Sequence, residues 1–459
     1  MERHDSGRHM EDRDKESGKK KVVFRAGISP VDANKKIGPL RTHLYNYAFA
    51  KNEAERGNDS TIIFRVDDTN KDRSVKNKTN EIARFFSDTL GLEFDVTPEN
   101  ALEKIGYSVV QSERNEIYLK YLEELFDKHV AFVDKQSGLV LFDIKEFIDQ
   151  YSDTLEVDDL LKGKILMKLE ENLRRGTQYF PLVRSDRSVL YHLASVIDDA
   201  EFGVTHVVRG QDKTSVAEFQ EMVRVAFGFQ PKKYLHTPLM LDQDGKLLGG
   251  AVKFEDFIQK GIVPQALISY MISSGYGDPN TIYPSLDAFV KAFDYKKIHK
   301  QNGKFDEGKL ESINQRLVRE ISSEQFFDSI RLYLITIEDD TLAKRFDNDE
   351  ELRNLLLLFR KDPEESCEII KSILNPVYTE ITDELRKTGR VLIEEMKIHP
   401  LIFPSFENTR FNKKIFYDAL RWLLVGKTSF PDIEKVFHYL LTQNLIEDRL
   451  RMVEQLISS

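Results

Sequence analysis

The stretch that most constrains this chain is Phe24–Leu44, FRAGISPVDANKKIGPLRTHL. Val22–Ile28 is apolar and β-prone, as a buried parallel strand should be. A Gly/Pro/Asp/Asn loop follows, and then a helix opening at Gly38-Pro39 and running to about Glu55. Pro39 suits the first turn, where its missing N–H costs nothing. Leu40, Leu44, Tyr47 and Ala48 recur at helical spacing. A helix that starts beside a strand's carboxyl end offers free N–H groups to an anion, so the layout is that of a nucleotide-binding corner. The same pattern also suits an ordinary strand–loop–helix unit, because one glycine-containing loop is weak testimony.

With 459 residues, two to four domains are expected rather than one core. The formal charge of −10 argues against indiscriminate nucleic-acid binding, though not against a local basic groove. Cys367 is the only cysteine, which excludes internal disulfides and a multi-cysteine zinc site and suits a reducing cytoplasm. No apolar run reaches the roughly 18 to 20 residues of a membrane span, and the charged start carries no secretory signal. Residues 1–20 read as a disordered tail.

The second strand, Thr61–Val66, ends at Asp67-Asp68-Thr69, where open α/β sheets bind ligands; turn and cap formation would equally use these residues. Helices are expected over Asn80–Leu90 and Glu113–Lys128. Short β-like pieces at Ala131–Asp134 and Leu139–Ile144 look like an inserted subdomain; Tyr179–Arg184 is another strand, and the apolar segment Val189–Val196 follows with Tyr191 and His192. Gly203–Gly210 reads as a buried strand, Ser215–Phe227 as an amphipathic helix and Tyr234–Leu241 as a strand. From Phe254 onward the pattern is helical, giving an α/β half and an all-α half.

The ordered phrases of this chain resemble those of bacterial-type glutamyl-tRNA synthetases. RAGISPVDANKKIGPLRTHL is similar to the family's RFAPSPTGxLHIGxxRTAL, and FRVDDTN to its LRIEDTD. Gln111–Arg114 repeats its QSER, Ser185–Asp199 resembles SDGxPTYHLAxVVDD, and Gly203–Lys213 resembles GITHVIRGEDH. Lys304–Asn314 and Leu420–Leu440 resemble its FDxxKLxWLN helix and part of its anticodon-binding cage. The resemblance implies an α/β fold: a class I synthetase Rossmann-type catalytic domain with an insertion, then an all-α anticodon-binding-like domain. The implied boundaries are 21–106 and 189–252 for the catalytic halves, 107–188 for an acceptor-end insertion, 253–320 for a stem-contact region and 321–459 for the anticodon domain. ATP, as its magnesium complex, would activate glutamate, and tRNA would receive it. No zinc is expected, nor any membrane partner, and the chain is expected to act as a monomer.

Residue by residue, the resemblance implies substrate contacts for Arg25, Ser29, Asp67, Tyr191, Ser195 and Arg209. Asp67 stands where the family has a glutamate. Arg209 stands where the family reads the substrate's side chain; an internal ion pair with Asp198 or Asp199 is the alternative. The two signature motifs depart from the family. The HIGH motif reads Lys36-Ile37-Gly38-Pro39, keeping the glycine but neither histidine. The KMSKS segment is shortened to DGKLLGGAV, in which Lys246 aligns with its start. Lys36, Gly38 and Lys246 are therefore the expected ATP-site residues. Losing one preorganised donor typically costs about 3 to 4 kcal/mol of transition-state stabilisation, so a paralogue that binds tRNA or glutamate without efficient aminoacylation is the alternative function.

Overall fold

A computed structural model describes residues 19–29, 37–69, 81–248, 252–408 and 411–458. Lys36 and residues 249–251 of the shortened loop lie outside the described residues, as do residues 1–18 of the expected tail. The chain divides into two compact units, one of residues 1–254 with 264–310, the other of 255–263 with 311–459.

The first unit is built on a six-stranded sheet. Its strands are β1 (Lys21–Ile28), β2 (Asp59–Val66), β5 (Thr154–Asp159), β6 (Gly163–Lys168), β8 (His206–Gly210) and β9 (Lys233–Thr237), in the order β2-β1-β8-β9-β5-β6. All neighbours are parallel except the β5–β6 hairpin. Helix α1 (Ile37–Glu55) carries the chain from β1 to β2, while β8 pairs with the other edge of β1. The order thus reverses at β1, and in such sheets ligands bind beyond the strand ends at this reversal. Between β2 and β8 a second, antiparallel sheet of β3 (Ala131–Val133), β4 (Val140–Asp143) and β7 (Tyr179–Val183) packs on helix α2 (Asn115–Asp127).

Three expectations change. The apolar segment Val189–Val196 leads into a helix, α3 (Tyr191–Glu201), whose buried Leu193, Val196 and Ile197 follow helical spacing. The strand expected at Tyr234–Leu241 ends at Thr237; Pro238 donates nothing to a ladder, and its carbonyl instead accepts from Arg41 on α1. The helix expected over Glu113–Lys128 begins with a 3-10 turn at Gln111–Arg114 before α2. The hairpin β5–β6 has no counterpart in the expected strands. It extends the central sheet through β9.

The second unit is helical. Lys413–Val425 is its buried centre, packed by Asp383–Ile398 and Ile446–Ser458. Trp422 donates its indole N–H to the Thr379 carbonyl at 2.9 Å. The buried Arg449 donates to the carbonyls of Leu424 and Ile373 at 2.9 and 2.8 Å, serving helix-end acceptors that would otherwise go unmet. Among the described residues no helix is long and apolar enough to cross a membrane.

Candidate active site

Two buried charge clusters meet at α3. Asp199 is 3% exposed and accepts from Arg25 Nε at 3.2 Å, Arg65 Nη1 at 2.8 Å and Lys232 Nζ at 2.9 Å. Burial alone would raise its pKa, but Lys232, Arg25 and Arg65 outweigh burial and hold the carboxyl well below its usual range. Its neighbour Asp198 faces elsewhere, accepting from Arg114 Nε (2.8 Å), the Tyr118 hydroxyl (2.8 Å) and Gln111 Nε2 (2.9 Å). The Gln111–Arg114 phrase is therefore structural: it braces α3 from the side of α2.

Arg65 grips Asp67 with Nε at 2.6 Å and Nη2 at 3.2 Å, a two-pronged guanidinium–carboxylate pair. Arg65 Nη2 also donates to Ser195 Oγ at 3.2 Å. Asp67 and Ser195 are thus both fixed by β2 at the mouth of the sheet. The companion Asp68 accepts from the Ser112 backbone and hydroxyl at 2.7 and 2.6 Å. Gly27 keeps this corner open, because a Cβ there would run into the Asp67 carboxylate.

Arg209 is held differently. Register sets Arg209 on β8 opposite His236 on β9, so both side chains share one face. Arg209 Nε donates to His236 Nε2 at 3.1 Å and Nη1 donates to Gln220 Oε1 at 2.8 Å. The guanidinium lies 5.0 Å over the Tyr234 ring. Its Nη2 is buried without a hydrogen-bond partner. The alternative pairing with Asp198 or Asp199 does not occur: both carboxylates are taken up by other cations, and Arg209 makes no ion pair among the described residues. Burial lowers the Arg209 pKa, yet a guanidinium stays charged in a protein.

His236 fixes that arrangement. Its Nδ1 meets Asp159 Oδ2 at 2.7 Å, so Nδ1 carries the proton and Nε2 is left to accept from Arg209. Burial lowers the His236 pKa, which keeps the ring neutral. Asp159 also accepts backbone N–H groups from Leu161 (2.9 Å), Lys162 (2.8 Å) and His236 (3.1 Å). Burial works to raise the Asp159 pKa, but these donors, His236 foremost, leave it lowered.

Tyr191 opens α3 and exerts an electrostatic influence on both Arg25 and Arg209, which also repel each other. These three expected contacts therefore share one locality. Ser29 follows β1 directly, Gly38 lies in the first turn of α1, and Lys246 is exposed on a tight turn that Asp242 closes through the Lys246 backbone N–H at 2.8 Å. Sequence reasoning missed Gln220, His236 and Asp159, which hold Arg209. It also gave no role to Asp199 other than as an alternative partner for Arg209.

A largely parallel sheet whose order reverses at β1, with buried charges gathered at that point, defines an open α/β protein of the kind that binds ligands there. The profile of tRNA synthetases class I (E and Q), catalytic domain, matches residues 34–146 and 144–312. The glutamate–tRNA ligase of Clostridium tetani is 30% identical over 381 residues, covering 72% of this chain and 76% of its own. That of Treponema denticola is 28% identical over 439 residues, covering 84% and 82%. The crystal structure of glutamate–tRNA synthetase from Elizabethkingia anophelis shares the fold, with a TM-score of 0.69 at 20% identity over 94% of this chain and 99% of that one. The chain belongs to the glutamate–tRNA ligase family of class I tRNA synthetases. Nothing in these comparisons favours the binding-only paralogue.

Proposed function

We propose that this protein activates glutamate with ATP and transfers it to tRNA. The observation that carries this reading is Arg209, a buried guanidinium with no carboxylate partner and one unmet donor. An unpaired buried charge is costly, and an acidic ligand would relieve it. Arg25 and Tyr191 influence that guanidinium electrostatically, and Ser29 directly follows β1, the strand that carries Arg25. Asp67 and Ser195, clamped by Arg65, would face the amino group of the substrate.

Neither chemical step requires an enzyme nucleophile. The glutamate carboxylate attacks the α-phosphate of ATP and pyrophosphate leaves; the terminal adenosine hydroxyl of tRNA then displaces AMP from the adenylate. The protein's part is positioning and charge stabilisation. Gly38 would allow close approach of the nucleotide at the start of α1, and Lys36 and Lys246 would face the phosphates. Among the described residues no group of three or more His, Cys, Asp or Glu side chains is placed to hold a metal. Magnesium would arrive with ATP, whose phosphates supply ligands in such sites. The insertion 107–188 would meet the acceptor end, 253–320 the stem and 321–459 the anticodon.

The test is glutamate-dependent ATP–pyrophosphate exchange by the full chain, with and without tRNA. Exchange above a no-enzyme blank is expected. No exchange from folded protein under either condition would overturn the reading.

A further inference from the structure

Arg209 is not alone in lacking an acceptor. Gln220, on helix α4 (Thr214–Phe227), is 4% exposed, and its Nε2 is buried without a partner. A guanidinium only donates, so the contact of 2.8 Å with Arg209 Nη1 fixes the amide's orientation: Oε1 accepts, and the NH2 group turns away. Arg209 Nη1 and Nη2 share one carbon, as do Gln220 Oε1 and Nε2. Each unmet donor is therefore one carbon away from the same contact, Arg209 Nη2 across Cζ and Gln220 Nε2 across Cδ.

We propose that Gln220 is a second specificity-determining residue, forming with Arg209 a two-donor receptor that accepts a side-chain carboxylate and rejects a carboxamide. This rests on the glutamate reading above. A carboxylate has two oxygens and no hydrogen, so each oxygen can meet one donor. A carboxamide of the same shape must turn its own NH2 toward one of the two donors, burying a donor against a donor. Sites that leave a polar group unpaired with the wrong ligand discriminate strongly. The neutral His236 ring, locked by Asp159, serves this receptor as a positioning group: it occupies Arg209 Nε without adding a charge that would compete for the ligand.

The experiment is calorimetric titration of L-glutamate and of L-glutamine into the full chain, its Gln220→Glu variant and its Gln220→Met variant, each first checked for native circular dichroism. The parent chain is expected to prefer glutamate. Gln220→Glu puts an acceptor where a donor stood and supplies Arg209 with a carboxylate, so the glutamate-to-glutamine affinity ratio should fall by about tenfold to a hundredfold. Gln220→Met removes the donor alone, so glutamate should weaken about tenfold with glutamine little changed. An unchanged ratio in folded variants, or equal loss of both ligands, overturns the proposal, and so does loss of fold in both variants, which would make Gln220 a core residue. If the parent chain itself ignores glutamate, the functional reading falls first and this one with it.

Discussion

Arg65 donates to Asp199 across 2.8 Å, with both side chains buried, and so ties β2 to α3 beneath the crevice. The same carboxylate carries Arg25 and Lys232. Replacing it by a neutral carboxamide leaves three buried cations, of which only Arg65 keeps an ion pair, to Asp67, among the described residues. Breaking a buried pair from one side typically costs about 3 to 5 kcal/mol. Asp199→Asn should lose that much in urea unfolding, and a loss under about 1 kcal/mol would show that the cluster does not hold the crevice together. The folded pKa of Asp199 lies below the unfolded value of about 4. Its stabilisation is therefore complete above about pH 4 and is lost as acid protonates it. The variant should show a shallower acid limb.

A second pH window comes from histidine. His43 on α1 is pushed down to about 4, first by burial and then by Arg25, and His206 to about 4 by burial and Lys233. Both imidazoles take up a proton more readily in the unfolded chain, where the value is near 6.5, so acidification favours unfolding between about pH 6.5 and about 4. His43→Gln should flatten part of the loss of stability across that window, leaving the parts due to His206, His192 and His236, whose values burial also lowers. Identical slopes for parent and variant would show that His43 is not buried neutral.

Arg209→Met separates function from stability. The change removes a buried charge that has no carboxylate, but leaves His236 Nε2 and Gln220 Oε1 without their donor, at roughly 1 to 3 kcal/mol each. Relief of the charge offsets these terms. The net change in unfolding free energy should be under about 2 kcal/mol, smaller than for Asp199→Asn. Pyrophosphate exchange should fall by at least about a hundredfold. Retained exchange would remove Arg209 from substrate recognition.

Lys246→Ala touches an exposed side chain, and such changes usually stay within about 0.5 kcal/mol in stability. If the lysine meets phosphate charge, exchange should drop about tenfold to a hundredfold with the melting temperature unchanged. An unaltered exchange rate would leave the shortened loop without a phosphate-facing group at that position.

The sequence conveyed β1, α1, β2 and β8 because buried parallel strands and their helices leave continuous, local apolar patterns. It did not convey the β5–β6 hairpin. Leu155, Val157 and Asp159 alternate inward, but Asp159 reads as a turn residue until His236 and the backbone of Leu161 and Lys162 are seen to satisfy it. Tyr191 was identified by phrase, but the short apolar segment around it did not by itself declare the helix that it opens. The state of Arg209 was illegible for a simpler reason. Whether Asp198 and Asp199 reach it depends on Arg25, Arg65, Arg114 and Lys232, which lie far from both in the chain.

Asp159 gives the hairpin a consequence for heredity. The segment between β2 and β8 has the look of a cassette that relatives could exchange or trim. Yet two of its strands, β5 and β6, complete the central sheet, and the Asp159 carboxylate sets the proton on His236. A change at Asp159 within this segment would leave Arg209 unset through His236, so the segment and the crevice share one constraint.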